Sequence, residues 1–245
     1  MPGNGVQGLQ ATAPVTWLAS YPRSGNTLLR LILKRCFGLS SQSLYQDQDF
    51  ADPAVRDMVG HEDVGRNARQ FVALARRAGR SLYVKTHEPP GTDRHPALYV
   101  VRDGRSAVVS HAHYLRDILH RNISLADVIE GKAGLSWSQH VRAWTLPLHA
   151  NTLVVRYEDL AAGNRDMLAA IAAFIGHPLQ RGFDLSFGEL HALHPAFFRR
   201  GSDQANIAEM DAATSRLFEQ HHGDMLRAMG FGGSPSGKGG SPRRL

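Results

Sequence analysis

Residues 15–20 (VTWLAS), 81–85 (SLYVK), 97–101 (ALYVV) and 152–157 (TLVVRY) are short, rich in β-branched and aromatic residues, and apolar almost without interruption. A strand covered on one face alternates apolar with polar side chains. One covered on both faces does not, so these segments read as strands of a parallel sheet packed between helices. Between them the apolar positions recur at helical spacing, in TLLRLILKRCF, VGRNARQFVALARRA, GRSAVVSHAHYL and GNRDMLAAIAAFI. Residues 211–230 form a last amphipathic helix, stopped by Gly230. This alternation predicts an α/β fold with a central parallel β-sheet flanked by helices on both faces, in a single domain. Ligands are then expected at the carboxyl ends of the strands.

Composition changes this picture little. The Gly/Ser/Pro-rich ends, 1–13 and 232–245, are expected to be flexible tails around a domain spanning 14–231. No apolar run approaches the ~20 residues of a membrane span, and the first residues lack the basic and apolar regions of a secretory leader. A cytoplasmic location is therefore expected. The single cysteine, Cys36, sits in the apolar stretch LILKRCFG, excludes an intrachain disulfide and reads as a buried structural thiol. A net charge of +6 favours anionic partners. No basic run is interleaved with aromatics, which argues against a nucleic-acid surface. His111/His113 and His221/His222 lack cysteine or acidic partners at ligand spacing, so no metal is expected. Oligomeric state is not encoded in any readable pattern.

Candidate chemistry collects where strands end. Tyr21-Pro22-Arg23-Ser24-Gly25-Asn26-Thr27 joins the first strand to the first helix. The unpaired N–H groups of such a turn and of a helix's first residues bind phosphate, and Gly25 permits close approach. The loop is P-loop-like in position but not in text: no glycine stands five before Gly25, and Asn26 holds the place of the Walker lysine. Lys85 and His87 leave the second strand on the same side, one a fixed charge and the other a base titrating near neutrality. Arg102 ends the third strand, and with Ser110 it brackets the next helix as a second anion site, Arg102 offering a bidentate fork. Arg105 reads as an exposed loop cation.

YPRSGNT, KTHEP and VVRDGRSAVVS, in that order, resemble the loops of the cytosolic-type, bacterial-like sulfotransferases that use 3′-phosphoadenosine 5′-phosphosulfate (PAPS). Tyr157-Glu158-Asp159-Leu160 is similar to the family's YEDL, Leu185-Ser186-Phe187 to its TSF segment, and Phe198-Arg199-Arg200-Gly201 to its FRKG. The resemblance spans about 15 to 201. It implies a sulfuryl transfer from PAPS to a hydroxyl or amine of a small-molecule or glycan acceptor, releasing adenosine 3′,5′-bisphosphate (PAP), without a metal. It also implies roles. Arg23, Ser24, Gly25, Asn26 and Thr27 would cradle the 5′-phosphosulfate, while Arg102, Ser110, Arg199, Arg200 and Gly201 would hold the 3′-phosphate. Tyr157, Ser186 and Phe187 would complete the cofactor site. His87 would be the general base, with Lys85 and Arg23 stabilising charge on the transferring group. The alternatives are a P-loop kinase with a degenerate Walker loop, or a non-catalytic anion-binding module of the same fold.

The chain departs from the family pattern at Arg23, where lysine is usual, at Asn26 for threonine, at Leu28 for tryptophan, and beyond Gly201, where SDQANIAEM replaces a glycine-tryptophan pair. Altered contacts to the adenine and 3′-phosphate are expected. The acceptor pocket is expected from 37–65, 88–95 and 112–140, drawing on Tyr45, Phe50, His113 and Tyr114, with 40–50 as a flexible lid and Trp137 and Trp144 packing between helices.

Overall fold

The computed structural model describes residues 13–45, 53–63, 67–92, 94–145, 151–193, 195 and 203–232. Of the expected tails, 1–13 and 232–245, all but residues 13 and 232 lie outside these. Five strands appear in chain order: β1 (Val15–Ser20), β2 (Gln42–Ser43), β3 (Leu82–Thr86), β4 (Ala97–Val101) and β5 (Thr152–Arg156). The helices are α1 (Asn26–Phe37), α2 (Pro53–Met58), α3 (Ala68–Ala78), α4 (Gly104–His113), α5 (Leu125–Ile129), α6 (Trp137–Thr145), α7 (Tyr157–Ala161), α8 (Arg165–Ile175), α9 (Phe187–Leu193), α10 (Asp203–Ile207) and α11 (Ala212–Ala228). A π-helical turn, Tyr114–Ile118, continues α4.

The sheet runs β2-β3-β1-β4-β5 with every pairing parallel. β1 is central, and all its residues are buried. Val15, Trp17 and Ala19 point into a core shared with α3, α4, α5, α6 and α11. Leu18 points into the opposite core, with α1, α7 and α8. Helices on both faces explain the uninterrupted apolar text of the strands, each fully buried Val, Leu or Ile contributing ~1.5–3 kcal/mol. Because β3 and β4 flank β1, three carboxyl ends lie side by side, and they position the candidate site.

Some boundaries differ from expectation. β2 has only two residues, both polar, and exists through pairing with Val84 and Lys85. The stretch expected to be a lid is thus tied down through Tyr45: Leu44 N–H donates to the Lys85 carbonyl at 3.1 Å. Residues 46–50 lie outside the described residues. β5 stops at Arg156, so Tyr157 opens a helix rather than closing a strand. Cys36 is buried, and that burial pushes its thiol pKa up to about 11. Among the described residues no helix is long and apolar enough to cross a membrane.

Candidate active site

The turn after β1 is built from backbone conformations that ordinary residues avoid. Arg23 has φ 63° and Gly25 φ 108°, both left-handed, and Ser24 N–H closes the turn on the Tyr21 carbonyl at 3.1 Å. Alternation of this kind is the backbone pattern by which successive N–H groups can face one concavity that suits an anion, and here it stands at the start of α1. A left-handed non-glycine residue costs ~1–3 kcal/mol and persists only where its surroundings hold it. At Gly25 a side chain has no room, since a Cβ would stand 2.5 Å from the Tyr157 ring. Asn26 is used differently from a Walker lysine: its Nδ2 donates to the Leu18 carbonyl at 2.8 Å and to Ser20 Oγ at 3.3 Å, pinning the loop to β1.

The loop forms one wall of a cavity of about 600 Å³. Arg23, Lys85, Arg102 and Arg121 line it, against one lining carboxylate, Glu88. Two of these cations meet. Arg23 Nε donates to Ser110 Oγ at 3.4 Å, and Arg102 donates to the Arg23 carbonyl at 3.2 Å. The Arg102 guanidinium lies over the Tyr157 ring, 4.1 Å from its centroid. Its Nε and one terminal nitrogen both reach Asp203 Oδ1 at 2.6 Å. Asp203 opens α10 and orients Arg102 from the side.

His87 sits just beyond the end of β3. Its Nδ1 lies 2.7 Å from the Ser20 carbonyl, which can only accept, so Nδ1 carries the proton and Nε2 keeps a lone pair. Burial, then the Lys85 ammonium, push its pKa well below the usual histidine value, opposed by the Ser20 contact. The imidazole is therefore a neutral proton acceptor. Its backbone is held as firmly as its ring. His87 N–H donates to Tyr45 Oη at 2.8 Å, and the two rings stack at 5.7 Å. From α6, His140 Nε2 donates to the His87 carbonyl at 3.0 Å, and Trp144 Nε1 to the next carbonyl, Glu88, at 3.1 Å. His140 and Trp144 are one helical turn apart, so one face of α6 grips two successive peptide groups. Tyr99 of β4 stacks on both rings and donates its hydroxyl to His140 Nδ1 at 3.0 Å. Burial lowers the His140 pKa to about 4. The same holds for His111, bonded to the Tyr21 hydroxyl at 3.1 Å, where the charges of Arg23 and Arg121 add to the effect of burial.

The cavity gathers Arg23, Gly25, Asn26, Thr27, Lys85, His87, Arg102, Ser110 and Tyr157 from segments far apart in sequence. Ser24 is buried behind this wall. Ser186 is not part of it: its hydroxyl donates to Glu189 at 2.6 Å and caps α9. Phe187 opens that helix. Arg199, Arg200, Gly201 and Phe50 lie outside the described residues. Arg105 proves to be helical, not a loop cation, bonded to Asp103 Oδ2 at 2.6 Å in the first turn of α4. His113 is spent on Asp117 and Glu209. Trp137 is buried against Phe218 and over Gly104, and Trp144 packs on Tyr99, so both are packing residues as expected. Sequence reasoning missed Tyr99, His140 and Asp203. The His140–Trp144 spacing on one helix face was the available signal.

A family model described as "Sulfotransferase domain" matches residues 13–192. The chain belongs to the sulfotransferase domain family. Two curated relatives are a WSCD family member, GA21586, of Drosophila pseudoobscura pseudoobscura, 27% identical over 73% of this chain, and flavonol 3-sulfotransferase of Flaveria bidentis, 25% identical over 66%. The chain spans 56% of the length of each. Among solved structures, mouse sulfotransferase SULT7A1 complexed with PAP superposes with a TM-score of 0.61 at 21% identity, covering 91% of this chain and 87% of that one. Retinol dehydratase with androsterone and PAP gives 0.56 at 19% identity, covering 88% and 81%. The fold is that of the sulfotransferases, with a single five-stranded parallel sheet, P-loop-like, flanked by helices on both faces.

Proposed function

We propose that this sulfotransferase domain transfers a sulfuryl group from PAPS to a hydroxyl of a small-molecule acceptor, with His87 as the general base. The observation carrying this reading is the meeting, in one cleft, of the left-handed loop at Arg23–Gly25, of Arg102 and Ser110, each bonded to Arg23, and of a neutral His87 whose Nε2 is free to accept. The donor set fits a bis-anionic nucleotide: a backbone nest with Arg23 for one anion, and Arg102 with Ser110 for the other. The PAP in the mouse SULT7A1 and retinol dehydratase structures supports the same donor here.

PAPS, when bound, supplies the sulfuryl group and leaves as PAP, while the acceptor oxygen forms the new bond to sulfur as the sulfur–oxygen bond to phosphate breaks. His87 Nε2 takes the hydroxyl proton during that exchange, and Nδ1 keeps its proton on the Ser20 carbonyl, so the ring becomes imidazolium without turning. Lys85 and Arg23 face the charge that gathers on the departing oxygen. Fixed cations do this with little reorganisation, and positioning supplies much of the rest.

Part of the cleft lining is apolar. Leu115, Ile118, Leu119, Ala133 and Leu135 line it. Ile118, Leu119 and Leu135 are 53%, 45% and 41% exposed; among the described residues, Leu179 is the one other exposed large hydrophobic. An apolar acceptor body covers them, in line with the flavonol, retinol and androsterone named for the relatives.

The test is a turnover assay with labelled PAPS against a panel of phenols and alcohols, alongside PAP-induced thermal shifts. His87→Ala is expected to lose transfer while still binding PAP, and Arg102→Ala to lose PAP affinity. A thermal shift with ATP–Mg²⁺ and none with PAP, or near-normal turnover in His87→Ala, refutes the respective part.

A further inference from the structure

We propose that the apolar end of this cleft selects hydroxylated acceptors that also carry a carboxylate, and that Arg121 receives it; the inference rests on the sulfotransferase reading above. The π-helical turn after α4 widens the chain's path and puts Leu115, Ile118 and Leu119 along the cleft. It then closes abruptly. Leu119 N–H returns to the Tyr114 carbonyl at 3.1 Å and Arg121 N–H to the Leu115 carbonyl at 2.8 Å, across His120 at φ 50°. That left-handed histidine is one of two non-glycine residues with positive φ among the described residues, the other being Arg23 in the anion loop. Strain of this kind persists only where the surrounding structure holds it. The reversal leaves Arg121, an exposed residue, lining the same cleft as Leu115, Leu119 and Leu135. Its charge reaches inward, since after burial and Arg23 it is the third influence lowering the His111 pKa.

The other cleft cations have protein partners. Arg23 is bonded to Ser110, Arg102 is held by Asp203, and Lys85 lies 5.8 Å from the Tyr45 ring centroid. No described carboxylate pairs with Arg121. The acidic groups of the neighbouring elements are committed elsewhere, Asp117 and Glu209 to His113, and Asp127 and Glu130 to Lys132. An exposed guanidinium on the cleft lining, with no described carboxylate on its planar fork, is matched by a carboxylate, which accepts two parallel N–H bonds. The acceptor then has a hydroxyl for His87, an apolar body for the leucines, and an anionic end for Arg121.

Matched acceptors decide the point: ω-(4-hydroxyphenyl)alkanoic acids of increasing chain length, each with its methyl ester and primary amide. Binding to the full chain preloaded with PAP is measured by calorimetry, and sulfation by kcat/KM with PAPS. For the best-fitting length, the acid is expected to bind and react about tenfold better than its ester, as a charge-assisted pair supplies. In Arg121→Gln that ratio falls to about one, chiefly through KM, and Arg121→Lys restores part of it. Equal use of acid and ester by the natural chain, or a preference undiminished in Arg121→Gln, overturns the inference. If PAP binds and neutral phenols are sulfated without acid preference, the sulfotransferase reading stands and the carboxylate subsite falls. If PAP does not bind, both fall.

Discussion

Replacing His140 tests how the candidate base is held in place. His140 touches no reacting atom in the scheme above. It joins the Tyr99 hydroxyl to the His87 carbonyl through two bonds of 3.0 Å, and it is 1% exposed. His140→Ala leaves both partners buried without their bond, and an unsatisfied buried polar group costs ~1–3 kcal/mol. The two groups and the space left by the ring together lower stability by ~3–5 kcal/mol. The β3 end loses one of the two grips from α6, so His87 Nε2 shifts relative to the acceptor. A displacement of ~1 Å in a reacting group costs about 100-fold in rate. His140→Gln is the control, because a glutamine amide can donate to the His87 carbonyl and accept from Tyr99. The assay is kcat and KM for one phenol, with urea unfolding and PAP titration on the same samples. The expected pattern is a kcat loss of about 100-fold in the alanine variant, a loss within a few-fold in the glutamine variant, and PAP affinity preserved in both. An alanine variant that unfolds at lower urea yet keeps its kcat would show that the grip on His87 is structural only. PAP affinity falling in step with kcat refutes the local account.

Three further outcomes follow from the same geometry. His111 and His140 are neutral in the fold with pKa values of about 4, while in the unfolded chain they protonate near 6.5, so the unfolded state binds more protons below that value. Stability is therefore full above pH 6.5 and falls by ~1.4 kcal/mol per unit for each group down to about pH 4; urea midpoints that do not drop between pH 7 and pH 5 contradict it. Because burial and Lys85 hold the His87 pKa well below the ordinary value, kcat/KM should stay level as pH is lowered through the usual histidine range. An inflection near pH 6.5 in that profile argues that the base is a solvated histidine. Gly25→Ala meets both a φ of 108° and a Tyr157 ring 2.5 Å from the new methyl. It should cost ~1–3 kcal/mol of stability and weaken PAP binding, because the displaced ring also carries Arg102. Unchanged calorimetric affinity for PAP would separate Tyr157 from the anion site.

The parts of this fold legible in the chain are those whose signal is local. β1, β4 and the helices covering them could be read because burial on both faces leaves an unbroken apolar run, and helix packing leaves a period of its own. The turn after β1 could be read because its unusual backbone needs Gly25, and glycine is visible in text. β2 could not, since Gln42 and Ser43 have no strand-like character and are a strand only by virtue of the neighbouring β3. Asp203 stands 101 residues from the arginine it holds, and no periodicity connects them. Histidine makes the same point most sharply. The chain has 13, which made each a weak candidate when read alone. What separates His87 from His140, and both from His113, is the identity of the groups on their two ring nitrogens: the carbonyl and hydroxyl of Ser20 on one nitrogen with the other open, a hydroxyl and a carbonyl, and two carboxylates. Each set is assembled from different strands and helices. Position at a strand end could point to His87; only the fold could supply the shell that keeps it neutral and aimed.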